Sequence, residues 1–476
     1  MRMIPGSSPL SFSCPKGAIV PELHDRLIAR LTALLGCVPP RRRLVVGVSG
    51  GLDSMLLLDI VRACAAGRLP VLAVHVHHGL SARADHWAAH VERSCAAAGV
   101  PCTVLHVQVD RAQSSREAAA RDARHGAFAT VLAPGDALLL AHHADDQAET
   151  LLLRLLRGSG LSGLGAMRAV RRVAAIEDAW LLRPLLDVPR AALLQVATQR
   201  ALVWIDDESN RDIAFDRNFL RHEILPALHR RWPALIDTLT RTARRLATAD
   251  ALLNDYLDTD LQPLLRADSA ARATLDVAAL LAHPPLRRPA LLRRWLVQIG
   301  APVFNEAWLG ELLALATARI DAEGELRVAG WEVHRHRGWL HAFPQLPPVD
   351  ATSVHGWHLA GTLELGAGHG ALLALPVSAA EGLALAGIPV GQAVTVRFRR
   401  GGERLAPAGG VGSRPLKKLL QDIGLPPWLR QRVPLVYVAD RLVAVGDFVV
   451  DADFAPAPAR PASVRLAWLR PGIATV

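Results

Sequence analysis

Leu44-Val45-Val46-Gly47-Val48-Ser49-Gly50-Gly51-Leu52-Asp53-Ser54 joins a hydrophobic run to a glycine turn, and Met55-Leu56-Leu57-Leu58-Asp59-Ile60-Val61 follows directly. The run Leu44 to Val48 reads as a buried parallel strand and the segment after Ser54 as the first turns of a helix. A strand, a tight turn and a helix N-terminus together make an anion site, because free backbone N–H groups point outward there. Two glycines let the chain turn sharply and let phosphate oxygens approach without a Cβ in the way. Ser49 and Ser54 can donate hydroxyl hydrogen bonds. Asp53 is repulsive to a phosphate unless a divalent cation lies between them, which points to Mg²⁺ bridging Asp53 and a triphosphate. The nucleotide-binding candidates are therefore Ser49, Gly50, Gly51, Leu52, Asp53 and Ser54, with Asp53 as metal ligand. The loop is not a Walker A sequence, which needs Gly-Lys-Ser/Thr; the only lysines are Lys16, Lys417 and Lys418. A serine- and glycine-rich helix cap is the plainer reading, but the whole hexapeptide in this setting favours nucleotide binding.

Outward from that loop, strand and helix patterns alternate. Val71 to Val76, Pro101 to Val109 and Ala137 to Ala141 read as further strands, with helices over Asp85 to Ala98, Ser115 to Leu132 and Asp146 to Leu156. The alternation predicts an α/β domain with a doubly wound parallel sheet and ligands at the carboxyl ends of its strands. After Arg183-Pro184-Leu185-Leu186 the pattern turns helical: Pro189 to Arg200, Phe219 to Leu228, Trp232 to about Leu265, then Asp276 to Ala316. Glu325 to Phe343 reads as a β hairpin. The predicted domains are 22–228, nucleotide-binding and catalytic; 229–343, helix-rich, a candidate RNA contact; 344–390, a linker with irregular β structure; and 391–476, a small, basic α+β domain.

Four clusters carry chemistry. His142-His143-Ala144-Asp145-Asp146-Gln147-Ala148-Glu149 follows the fourth strand. It reads as a metal site, or as carboxylates for a cationic substrate with an imidazole facing the nucleotide; an acidic helix start alone would not need two histidines. His75-Val76-His77-His78-Gly79-Leu80 ends the second strand. Arg121-Asp122-Ala123-Arg124-His125 lies on a later helix and in isolation reads as a charged solvent face. Trp204-Ile205-Asp206-Asp207-Glu208-Ser209-Asn210 is an acidic loop before Arg217-Asn218-Phe219-Leu220-Arg221. Arg217 and Arg221 lie one helical turn apart and can converge on a phosphate.

The 476 residues exceed one compact core, and 51% of them are hydrophobic. Net charge is +10, which suits a polyanionic partner, although an arginine-rich composition can also reflect a GC-rich genome. Between Val394 and Arg432 stand Arg397, Arg399, Arg400, Arg404, Arg414, Lys417, Lys418, Arg430 and Arg432 against only Glu403 and Asp422. Contacts from such a stretch to nucleic-acid phosphates would make binding salt-dependent. Cys14, Cys37, Cys64, Cys95 and Cys102 form no C-x-x-C pair, so neither a disulfide framework nor a zinc or iron–sulfur site is expected, and a reducing cytoplasm is. Met1 to Val20 reads as a loose tail rather than a signal peptide, and no membrane association is expected.

Ser49–Ser54, His75–Leu80, Arg121–Arg124, His142–Thr150 with the following Leu152-Leu153-Arg154-Leu155-Leu156-Arg157-Gly158-Ser159-Gly160, Arg183–Leu186, Ser209-Asn210 and Arg217–Arg221, in that order, closely resemble tRNA(Ile)-lysidine synthetases, members of the PP-loop ATP pyrophosphatases. The resemblance covers about 44–228 and returns at Lys417–Asp422, Pro426–Arg430 and Pro434–Val436. It implies ligation of lysine to C2 of the wobble cytidine of a tRNA(Ile) with a CAU anticodon. ATP would first adenylylate the C2 oxygen, releasing pyrophosphate; the lysine ε-amine would then displace AMP. By motif position, the hexapeptide would hold ATP and Mg²⁺, and His142 would lie near the reacting phosphate. Asp146 and Glu149 would bind lysine, with Arg121 and Arg124 also assigned to substrate. Arg217 or Arg221 would stabilise the activated intermediate, together with Asp53 and His142 forming the catalytic set. The attacking amine must be neutral, so a base or desolvation has to lower its pKa. His77 and His125 depart from the family's usual asparagine and tyrosine. The sequence leaves assembly open, a homodimer included. A thiolation enzyme of the same superfamily is the alternative activity, although the absent C-x-x-C speaks against it. A non-catalytic ATP- or RNA-binding module would need neither the acidic histidine motif nor the arginine pair.

Overall fold

The computed structural model describes residues 21–39, 42–65, 67–79, 83–108, 116–173, 176–206, 212–268, 271–302, 305–319, 324–375, 383–388, 392–410, 412–457 and 462–471. The chain forms two compact units, Met1–Leu253 and Asn254–Val476.

The first unit is built on strands β1 (Leu44–Gly47), β2 (Val71–His77), β3 (Cys102–His106), β4 (Ala137–Leu139), β5 (Val170–Arg172) and β6 (Trp180–Leu182), in the order β3-β2-β1-β4-β6-β5. All pairs are parallel except the edge pair β5–β6. Its helices are α1 (Pro21–Gly36), α2 (Leu52–Ala65), α3 (Ala84–Ala97), α4 (Arg116–Val131), α5 (Ala144–Leu156), α6 (Leu161–Leu164), α7 (Arg190–Gln199), α8 (Asp216–Phe219), α9 (Leu225–Arg231) and the part of α10 (Leu235–Leu261) up to Leu253. β1 explains the layering. Leu44 and Val46 face a core shared with Leu27 and Leu31 of α1, Leu56 of α2 and Leu193 of α7. Val45 faces the opposite core, with Phe128 of α4 and Leu138 of β4. A strand covered on both faces has no polar side, which is why its sequence does not alternate. β1 lies between β2 and β4, where the strand order reverses, so the loop after it opens into the crevice where doubly wound sheets bind ligands.

Three sequence expectations are modified here. The sheet gains β5 and β6, three-residue strands too short to leave a pattern. The helix predicted over Phe219–Leu228 is interrupted by a π turn over Leu220–Ile224. Pro226 has no N–H for the His222 carbonyl, and Leu225 N instead reaches back to Leu220 O. α1 was not anticipated within the predicted first domain.

The second unit begins with β7 (Leu265–Asp268), β8 (Ala271–Asp276), α11 (Val277–Ala282), α12 (Arg288–Gln298), α13 (Glu306–Thr317), β9 (Gly324–Val328), β10 (Trp331–His336) and β11 (Trp339–Pro344). These five strands form one sheet in the order β7-β8-β11-β10-β9, and the three helices pack around the fully buried Trp295. The predicted hairpin over Glu325–Phe343 is thus a three-stranded meander inside a larger sheet. Residues 344–390, expected as a linker with irregular β structure, supply β12 (Val354–Trp357), β13 (Gly361–Glu364), β14 (Ala371–Leu375) and β15 (Leu383–Ala386). These pair with β16 (Val394–Arg397) and β22 (Ala462–Leu469). Between those two strands lie β17 (Arg404–Leu405), β18 (Arg414–Pro415), α14 (Leu416–Asp422), β19 (Leu435–Val438), β20 (Arg441–Val445) and β21 (Val449–Val450). No described helix is long and apolar enough to cross a membrane.

Candidate active site

The turn after β1 is held from inside. Gly50 has φ +89°, a conformation that costs a side chain-bearing residue strain, and a Cβ there would also lie 3.2 Å from Val91 Cγ2. The buried Ser54 hydroxyl accepts from Ser49 N at 3.1 Å and donates to the Gly51 carbonyl at 2.9 Å. Ser54 therefore shapes the loop, while Ser49 and the N-terminal amides of α2 form its outer rim. The Gly50 carbonyl accepts from Ile205 N at 2.9 Å, so the start of the acidic loop is fastened to the phosphate loop. His75 lies behind: its Nδ1 is 2.8 Å from the Val48 carbonyl. That contact requires Nδ1–H, and burial holds the imidazole below its ordinary pKa and neutral.

Asp53 stands in the first turn of α2. Burial raises its pKa, against opposing pulls from His143 and Arg190. His143 Nε2 lies 3.7 Å and Arg190 Nε 3.8 Å from Asp53 Oδ2. Asp53 Oδ1 is buried and has no hydrogen-bond partner among the described residues. A solvent-shielded carboxylate oxygen with nothing to accept from is costly. A hard cation is a partner that suits it, and Mg²⁺ commonly uses one or two carboxylates plus substrate phosphates. No group of three His, Cys, Asp or Glu able to hold a metal occurs among the described residues, so a cation here would take most of its ligands from nucleotide and water.

His143 and Asp146 form a reciprocal cap at the start of α5. His143 N donates to Asp146 Oδ2 at 3.1 Å, and Asp146 N lies 3.4 Å from His143 Nδ1. Burial pushes the His143 pKa down, but Asp146, Asp145 and Asp53 outweigh it and hold the ring above its ordinary value. The other Asp146 oxygen, Oδ1, takes Arg221 Nη2 at 3.0 Å. Glu149 is fully buried. Its Oε2 accepts from Arg217 Nε at 2.7 Å, and Arg221 grips both its oxygens, Nε to Oε1 at 2.6 Å and Nη2 to Oε2 at 3.0 Å. The two arginines do converge, but on carboxylates. Two guanidiniums against one buried and one nearly buried carboxylate make a satisfied ionic unit, costly to break by removing one sign of charge. The Asp146 carboxyl is accordingly held below its ordinary range: burial opposes ionisation, and His143 and Arg217 more than offset it.

His142 is set differently. Arg183 Nε donates to its Nδ1 at 3.1 Å. Burial drives its pKa down to about 3, with Asp146 opposing and Arg183 adding to the drop. An acceptor Nδ1 places the proton on Nε2. His142 is thus a neutral hydrogen-bond donor and not a general base at neutral pH.

Of the remaining sequence candidates, Arg124 lies on the exposed face of α4. The Arg121 side chain lies outside the described residues, as do Asp207, Glu208, Ser209 and Asn210 of the acidic loop. Two residues in the site were not singled out. Arg183 carries a motif, but its task as tautomer-setting partner of His142 has no sequence signature. Arg190 opens α7, its amide donating to Asp145 Oδ2 at 2.8 Å. An arginine in a helix's first turn opposes the dipole, and that mismatch was the available clue.

Comparison with known proteins follows the same division of the chain. A PP-loop domain model matches residues 23–228, a TilS substrate-binding domain model 275–341 and a TilS substrate C-terminal domain model 394–468. The tRNA(Ile)-lysidine synthase of Serratia proteamaculans is 41% identical over 450 residues, 94% of this chain and 99% of that protein. Those of Edwardsiella ictaluri and Xylella fastidiosa are 42% and 43% identical over 414 and 412 residues, each 86% of this chain and 91% of the relative. Among solved structures, the U34-tRNA thiolase NcsA of Methanococcus maripaludis aligns with a TM-score of 0.40 at 16% identity, over 47% of this chain and 78% of its own. A TilS C-terminal domain crystal structure aligns with a TM-score of 0.20 at 21% identity, over 25% of this chain and 99% of its own.

Proposed function

Because the chain belongs to the tRNA(Ile)-lysidine synthase family, we propose that its first unit adenylylates the wobble cytidine of a CAU-anticodon tRNA(Ile) and transfers L-lysine to it. The chain is an ATP-using ligase that forms lysidine on tRNA(Ile). ATP yields AMP and pyrophosphate, with the cytidine O2 bonded to the α-phosphorus in between and the lysine ε-nitrogen replacing that oxygen at C2. The observation that carries the reading is Asp53, a half-buried carboxylate with one buried oxygen that has no partner among the described residues, at a glycine turn on the reversal point of the sheet.

Each residue has a task that follows from its surroundings. The rim of the glycine turn and the α2 amides receive phosphate oxygens. Asp53 holds Mg²⁺, which when bound neutralises charge on the triphosphate. Neutral His142 offers Nε2–H to a phosphoryl oxygen without adding a charge that must be desolvated, and Arg190 meets the pyrophosphate side of the loop. Lysine enters at Asp146 and Glu149. Their oxygens already carry Arg217 and Arg221, so its ammonium takes the place of a guanidinium N–H, and the displaced arginine becomes available to the adenylylated intermediate. Binding and activation are then coupled by one exchange of partners.

The test is direct. The protein is incubated with radiolabelled lysine, ATP and a tRNA(Ile) transcript bearing CAU, and nucleosides are analysed after digestion. Lysidine with stoichiometric AMP and pyrophosphate is expected. ADP and phosphate as products, or label left unincorporated, would overturn the assignment.

A further inference from the structure

A cavity of about 290 Å³ lies within the second unit, at the seam between the β10–β11 turn and the segment after α14. Its polar and aromatic lining is His336, Arg337, Trp339, His341, Phe448 and Arg470, and none of its lining residues among the described ones is acidic. The seam draws on both segments matched by the TilS substrate models. We propose that this cavity is a binding site for one unpaired nucleotide of the RNA substrate, with its phosphate on Arg337 and Arg470 and its base against Trp339. The proposal rests on the reading above that the substrate is RNA.

The Arg337 guanidinium is placed by construction. Arg337 and Gly338 both have positive φ, +48° and +80°, the signature of a tight two-residue hairpin turn. The turn delivers Arg337 onto α14, where its Nη2 donates to the Gln421 carbonyl at 2.9 Å. Gly424 makes room for it: a Cβ there would lie 2.2 Å from Arg337 Nη1. A carbonyl acceptor orients this guanidinium without cancelling its charge, so a phosphate still meets a full cation. Arg470 lies over the Phe448 ring at 5.1 Å, and its facing acid, Asp447, is 3.9 Å away. Trp339 is half-buried and has Arg266 5.9 Å from its ring centre. A cationic floor beside an aromatic face is the arrangement that binds single-stranded nucleic acid, with phosphate held by charge and base by stacking. The volume is too small for a duplex and lies at the lower end of pockets that hold small molecules. Lys417 and Lys418 are exposed on α14, the helix that Arg337 grips.

The experiment is a fluorescence-anisotropy titration of labelled tRNA(Ile) with the full chain at fixed salt. Arg337→Gln and Trp339→Ala are each expected to weaken binding about tenfold, and Trp339→Phe to stay within about twofold of the parent, because a phenyl ring still stacks. Thermal melting monitors the fold; should Arg337→Gln melt early through loss of its bond to Gln421, the Trp339 pair decides alone. Equal affinity for Trp339→Ala and parent, or equal weakening by Ala and Phe, overturns the proposal. Excess AMP should not displace the tRNA; displacement that Trp339→Ala abolishes would give the cavity to a free nucleotide and overturn the RNA assignment. A parent protein that binds no tRNA would sink the proposed function itself, a result distinct from failure at this cavity.

Discussion

Three arginines of the first unit end on carboxylates, whereas several in the basic C-terminal stretch end on backbone carbonyls. In the first unit Arg217 and Arg221 close on Glu149 and Asp146, and Arg200 Nη2 reaches Asp59 Oδ1 at 3.1 Å. In the second, Arg400 donates to the Ala351 and Thr352 carbonyls, Arg430 to Leu425, and Arg432 to Pro347 and Gly368. Both arrangements fix the side chain, but a carboxylate removes the charge from the local field and a carbonyl leaves it. The first leaves a locally neutralised ionic cluster. The second keeps a positive surface suited to a polyanion. Arg397 and Arg414 qualify the contrast, since they also face Asp440 and Asp422.

The comparison breaks most sharply at the buried carboxylate. Replacing Arg217 and Arg221 together by alanine leaves Glu149 buried without a cation, and about 3–5 kcal/mol of stability should be lost in a denaturant titration. Adding Glu149→Gln should restore much of it; a double variant as stable as the parent would deny that the unit is an ionic one. Next in size, Asp53→Asn should lower the rate of AMP formation by about 10²–10³-fold with an unchanged melting temperature. Normal turnover would remove the metal role. Arg190→Ala should raise the ATP concentration for half-maximal rate about tenfold and leave the lysine requirement alone; the opposite pattern would move Arg190 to the amino-acid side.

Acid gives a gentler probe. Burial raises the Asp59 pKa, but the hydrogen bond and charge of Arg200, with His24, bring it below the ordinary carboxylate value. A depressed folded pKa contributes stability above the unfolded value of about 3.9, and that contribution is lost as pH falls through the folded one. Asp59→Asn should therefore flatten the first unit's loss of stability below about pH 4; an unchanged acid limb would mean the group contributes nothing. Smallest of all, Lys417→Ala with Lys418→Ala should reduce the salt slope of tRNA binding by about 1 per lysine, with ATP use unaffected. An unaltered slope would show that α14 does not meet phosphates.

How far the sequence reached depends on how local each cause was. The strand–turn–helix around Gly50 and Gly51 was legible because its signal is compact: an apolar strand, two glycines where the chain must turn, and a helix start. The helix expected over Asp146–Leu156, found as Ala144–Leu156, was legible for the same reason, and its capping His143 and Asp146 are near neighbours in the chain. Residues 344–390 were not legible, because β12 and β14 acquire their meaning from partners at 394–397 and 465–469, and Gly- and Ala-rich strands have little period of their own. The bend at Leu220–Ile224 follows from Pro226, which a helix reading of that stretch passed over.

The amino-acid order alone determined the α/β alternation, the glycine turn and the residue types gathered around it, since these arise from contacts between near neighbours and from the period of apolar side chains. Tertiary structure alone decided which charges remain available. It joined Arg217 and Arg221 to Glu149 across about seventy residues, gave His142 its tautomer through Arg183, brought Arg190 beside Asp53, and seated Arg337 against Gly424. Electrostatic energy depends on distance and burial, and a sequence specifies neither until the chain has folded.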